Sequence, residues 1–141
     1  MKMIKLLAIG ACAALAFTAI SSRTAVAAEE AKEQSGKMAI PDTADGIMQE
    51  IHKHHVELAE TVKSKKLKDV HVQAFMIRDL ANALPDKVAA DKKARIEGSA
   101  KNIAKLADDL DKTGDANDQA GTEANLKKLD GVLMALDRQV Q

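Results

Sequence analysis

The sequence predicts an all-α protein, an antiparallel up-down-up-down four-helix bundle that follows a cleaved signal peptide. Two observations carry this. Four separate stretches repeat apolar residues at intervals of three and four, the period of one buried helix face, and a cap residue or a proline bounds each stretch. Beyond the N-terminal segment the only aromatic residue is Phe75, so the core must be built from Leu, Ile, Val, Met and Ala. Abundant Ala favours helix and close helix approach.

The chain opens with a basic stretch, Met1 to Lys5, followed by an apolar, Ala-rich run from Leu6 to Ile20. Ala25-Val26-Ala27 is a small-x-small cleavage site, which completes a secretory signal over residues 1–27. The apolar run is too short for a membrane span. Cys12 follows Ile9-Gly10-Ala11, but the residues after it stay apolar, so cleavage is expected rather than lipidation. Residues 28–41 read as a polar, flexible leader without an apolar period.

The bundle is expected over residues 42–141. Asp42 is the expected N-cap of a first helix from about Thr43 to Ser64, with Ile47, Ile51, Leu58 and Val62 on its inner face. A basic turn, Lys63-Ser64-Lys65-Lys66, leads to a second helix from about Lys68 to Leu84. Its inner row is Val70, Ala74, Ile77, Ala81 and Leu84, and Pro85 stops it. Asp86 is the expected cap of a third helix running to about Thr113, with Ile96, Ala100, Ile103, Ala107 and Leu110 inside. Gly98 offers a place for close approach. Thr113-Gly114-Asp115 reads as a stop, a left-handed cap and a new N-cap. The fourth helix carries the cleanest seam: Leu126, Leu129, Leu133, Leu136 and Val140. Short joins between such helices imply the up-down bundle.

Composition bounds the function. Removing residues 1–27 takes away Lys2, Lys5 and Arg23 and no acid, so 21 bases against 21 acids become 18 against 21, a net charge of −3 on 114 residues. That balance argues against a nucleic-acid partner and against electrostatic membrane binding. With one aromatic residue left, stacking on bases or sugars is nearly excluded. Cys12 leaves with the signal, so the expected mature chain has neither a disulfide nor a thiolate ligand. A metal site would have to use His, Met, Asp or Glu.

Three of the four histidines fall in Ile51-His52-Lys53-His54-His55. His54 lies in the apolar seam. His52 and His55 are three apart and share one side, with Met48 one turn below His52. Such a row can offer a thioether and two imidazoles to one ion: copper as Cu(I) accepts both, whereas Cu(II) and zinc prefer the imidazoles. His52 and His55 are the expected primary ligands, Met48 is supplementary, and His54 is a second candidate if the helix is rotated. The same residues also fit a solvated, mildly basic patch with His54 packed in the core. His71 is expected to serve alone, by packing or capping.

Other chemistry fits less well. Asp109 to Asn117 mimics the first nine positions of a calcium loop, but Ala120 stands where a bidentate Glu is required. Covalent haem lacks its Cys-x-x-Cys-His motif. Non-covalent haem would need two axial ligands facing the core; Met48 can stand for one, but the fourth helix has no His. Ser64 and Ser99 lie in no nucleophile elbow. The chain is therefore not expected to be an enzyme.

His71-Val72-Gln73-Ala74-Phe75-Met76-Ile77-Arg78-Asp79-Leu80 and Ala83-Leu84-Pro85, taken with Ile51 to His55, resemble small secreted helical-bundle proteins of Gram-negative bacteria found in heavy-metal, especially copper, contexts. The resemblance covers about two helices. It implies metal binding or a metal-stress response in the periplasm and assigns no ligand. The expected function is thus a periplasmic or secreted buffer or carrier for a transition metal, copper before zinc. The rival is an envelope adaptor or structural protein that docks on another envelope protein through an exposed helix face.

Overall fold

A computed structural model describes residues 39–141; the expected signal peptide and most of the expected leader lie outside the described residues. Among the described residues four α-helices make up the fold: α1, Ala44–Lys63; α2, Val70–Ala83; α3, Ala90–Asp115; and α4, Gln119–Val140. Short 3-10 turns, Leu67–Asp69 and Leu84–Lys87, precede and follow α2. No strand occurs among the described residues. None of their helices is long and apolar enough to cross a membrane.

Each helix packs on the next in the chain, and α4 touches α1 with the least contact of these pairings. The core between them is aliphatic. Ile47, Ile51, Leu58, Ile77, Leu80, Leu84, Ile96, Ile103, Leu110 and Leu136 are wholly enclosed. Each such side chain stabilises the fold by roughly 1.5–3 kcal/mol through removal from water. The inner rows of α1, α2 and α3 are those the periodicity marks, and His54 is buried in the α1 row. On α4, Leu129, Leu133 and Leu136 are buried, while Leu126 and Val140 are half-buried at the edge of the core.

The helix ends differ from the sequence expectations in four places, each for a local reason. Thr43, not Asp42, is the N-cap of α1, and its hydroxyl accepts the Gly46 N–H at 3.1 Å. Asp86 does not cap α3. It lies in the 3-10 turn after Pro85, and α3 starts after Ala89 with no side-chain cap. The helix α3 also runs through Gly114 to Asp115, and Asp118 caps α4 by accepting the Gly121 N–H. The left-handed residue of that turn is Asn117 (φ 54°).

Gly114 is small for another reason: a Cβ there would stand 2.5 Å from the Leu67 carbonyl oxygen. It lets α3 pass against the backbone of the first turn. Gly98, expected to allow close approach, has no heavy atom within 4 Å of the place its Cβ would occupy.

The turns after α1 and α3 close in the same way. Lys66 N–H bonds the Thr61 carbonyl and Asp118 N–H bonds the Thr113 carbonyl, with Lys65 (φ 58°) and Asn117 as the left-handed residues. This is the Schellman arrangement, which usually places Gly at the left-handed position.

Candidate functional site

The histidine cluster of α1 divides between two neighbours. His54 faces α2. Its Nδ1–H donates to Gln73 Oε1 at 2.7 Å, and Glu57 and Glu50, on its own helix, lie 3.5 and 3.9 Å from its ring nitrogens. The imidazole is buried and satisfied as a polar group in the core must be.

His52 and His55 face α4. His52 Nε2 stands 2.9 Å from Asp137 Oδ1, and His55 Nε2 stands 2.5 Å from Asp130 Oδ1. A carboxylate only accepts, so in each pair the facing ring nitrogen carries the proton and donates. The two aspartates are seven residues apart, about 10 Å along α4, whereas the histidines are three apart, about 4.5 Å along α1. The imidazoles therefore diverge towards separate partners. His52 keeps about half its side-chain surface exposed (49%), and His55 is more enclosed (24%).

Met48, the expected supplementary ligand, lies one turn before His52 on α1. It is buried in the apolar core, packed among the aliphatic side chains. His71 sits apart, at the start of α2. Its Nδ1–H donates to the Lys68 carbonyl at 2.8 Å, and its ring is tilted against Phe75 at 6.2 Å. Phe75 is covered on its outer side by the Arg78 guanidinium, 4.4 Å from the ring centre, a cation–π contact. Arg78 Nε–H also donates to Asp79 at 2.9 Å.

The partners Asp130, Asp137 and Gln73 are absent from the sequence expectations. One signal was available. Asp130 and Asp137 have heptad spacing beside the Leu129–Leu133–Leu136 seam, so both occupy the same position on one flank of a packed face, as the e residues of a coiled coil do.

Among the described residues no group of three or more His, Cys, Asp or Glu side chains is placed to hold an ion. What the arrangement provides is two carboxylate-held imidazoles along one seam and a third held by an amide along the next. Residues 109–115, which mimic part of a calcium loop in sequence, belong to α3. There Lys105 hydrogen-bonds Asp109 and holds its carboxyl below the usual carboxylate range. Beyond the cluster, the hydrogen bond and charge between Lys93 and Asp86 lower the Asp86 carboxyl and raise the Lys93 ammonium.

Comparison with family models, with curated proteins and with solved structures finds no match to this chain.

Proposed function

We propose that this protein is a non-enzymatic helical bundle of the bacterial envelope, exported by its N-terminal signal, that works by docking on another protein. The supporting observation is the divergence of the histidines: each imidazole of the cluster is engaged with a different residue. In this reading the cluster clasps α1 to its neighbours. The up-down-up-down path belongs to the same proposal. His52 pairs with Asp137 and the later His55 with the earlier Asp130, the crossed order that antiparallel helices give.

A second reading, a buffer or carrier for a transition metal, copper before zinc, has its own support. Metal-ligating histidines commonly donate the second ring N–H to a carboxylate, which fixes the tautomer and leaves the other nitrogen as a ligand. His52 and His55 both have such a carboxylate. Titration of the signal-cleaved, tag-free protein with Cu(I), Cu(II) and Zn(II) separates the two. Docking expects no binding tighter than about millimolar. Tight, stoichiometric binding abolished by His52→Ala with His55→Ala refutes it and establishes the metal reading.

A further inference from the structure

Charge is unevenly spread over the fold. The described residues carry 16 Lys and Arg against 18 Asp and Glu, a net charge of −2. Residues 63–78 alone hold five of those bases and one acid, Asp69, a net charge of +4. The turn between α1 and α2 supplies four of the five, Lys63, Lys65, Lys66 and Lys68, all exposed. Lys63 stands 3.7 Å from Glu60. The side chains of Lys65, Lys66 and Lys68 have no ion-pair partner among the described residues. Lys65 also holds the left-handed conformation, φ 58°, at a position that usually takes Gly.

The basic strip continues along α2 through contacts. His71 Nδ1–H donates to the Lys68 carbonyl, and its ring leans on Phe75. The Arg78 guanidinium lies over that ring at 4.4 Å. Lys68, His71, Phe75 and Arg78 follow one another at three, four and three residues, so they share one side of the helix. Arg78 is fixed at two points, its face by Phe75 and its Nε by Asp79. A guanidinium so held loses little freedom on binding, and its donor fork matches a carboxylate.

We infer that this strip, the 63–68 turn with the outer row of α2, is the docking surface, and that its partner is an acidic face of another protein. The inference rests on the docking reading above. The turn lysines steer an acidic partner by complementary charge, and Arg78 fixes the register by gripping one of its carboxylates. Residues 63–78 expose no large apolar side chain to enter a bilayer. Phe75 is covered by Arg78, so its ring is not open for stacking on bases. These two features favour a protein over a membrane or a nucleic acid.

The test is an amide-shift titration of the isotope-labelled, signal-cleaved protein with a synthetic Glu-rich helical peptide. A copy of the peptide with Gln for Glu is the control, and vesicles containing phosphatidylglycerol are titrated beside it. The acidic peptide should shift residues 63–78, and the Gln copy should not. Physiological salt should weaken binding, since the screening length falls from about 30 Å at 0.01 M to about 8 Å. Lys65→Glu with Lys66→Glu and Lys68→Glu should lower affinity about tenfold or more at unchanged helix content, and Arg at the same three positions should preserve it. Arg78→Lys keeps the charge but removes the fork, and should weaken binding about threefold or more. Shifts centred elsewhere, or parent-like affinity in the charge-reversed variant, overturn this surface while the docking reading survives. Parent-like affinity in Arg78→Lys overturns the grip of Arg78. Binding to the vesicles alone overturns a protein partner, and a parent that binds neither probe overturns the inference. The docking reading falls separately, to tight metal binding in the titration above.

Discussion

Gly114 and Gly98 lie on the same helix, and replacing each with Ala should move stability in opposite directions. In a helix interior Ala is favoured over Gly by about 1 kcal/mol, because Gly loses more backbone freedom on folding. At Gly98 nothing lies within 4 Å of the new Cβ, and the same holds at Gly131 on α4. Each of these substitutions should therefore raise stability by roughly 0.5–1 kcal/mol. At Gly114 the new Cβ would fall 2.5 Å from the Leu67 carbonyl oxygen and 3.5 Å from Val70 Cβ. The first contact is with backbone, so no rotamer change relieves it. Either α3 or the turn at Leu67–Asp69 must shift, and overpacking of this kind costs about 1–3 kcal/mol.

Set against the propensity gain, Gly114→Ala should lose about 0–2 kcal/mol net. The gap between it and Gly98→Ala is then about 2 kcal/mol, and each kilocalorie moves the melting temperature of a domain this size by roughly 4–8 °C. Urea and thermal unfolding followed by far-ultraviolet circular dichroism read both quantities. A Gly114→Ala protein as stable as Gly98→Ala would refute the close approach of α3 to the first turn.

Other outcomes follow from the same geometry. Lys65 holds a left-handed conformation without being glycine, which costs an L-residue about 1–2 kcal/mol; Lys65→Gly should raise the unfolding midpoint, and a lowered midpoint would contradict that strain. Gln73→Leu removes the acceptor of the buried His54 N–H and should cost about 1–3 kcal/mol, whereas His54→Leu with Gln73→Leu should recover much of that loss in a double-mutant cycle. The lowered carboxyls of Asp109 and Asp86 add stability that is present above the ordinary carboxylate range and is lost as pH falls below about 4; Asp109→Asn should flatten that acid limb, and an unchanged limb would show that the Lys105 pair adds nothing. Intact mass of the fractionated protein tests export: loss of residues 1–27 is expected, and a retained Met1 would contradict it.

The helices were legible in the sequence because an aliphatic core leaves a strong periodic trace. The rows Val70–Ala74–Ile77–Ala81–Leu84 and Ile96–Ala100–Ile103–Ala107–Leu110 are buried throughout, since a residue on the inner face has no other way to leave water. The ends were less legible. Asp42 and Thr43 both qualify as caps, and only the backbone conformation selects Thr43. In the sequence Gly114 fits a left-handed cap, because Gly serves two purposes, unusual φ and small volume. Here volume decides, and Asn117 takes the turn.

The histidine cluster shows where a one-dimensional reading stops. Spacing along α1 puts His52 and His55 on one side, and the structure places both against α4. Spacing cannot say what faces that side, because the answer lies 75 and 85 residues away, in Asp130 and Asp137. Both pairs sit on the α1–α4 seam, which has the least contact of the helix pairings around the bundle. The other helix pairs are held mainly by aliphatic burial. At this seam two partly exposed imidazole–carboxylate pairs span the helices, and such pairs are individually weak in water. His52 and His55 therefore sit at the helix pairing with the least contact, where their polar side chains meet solvent.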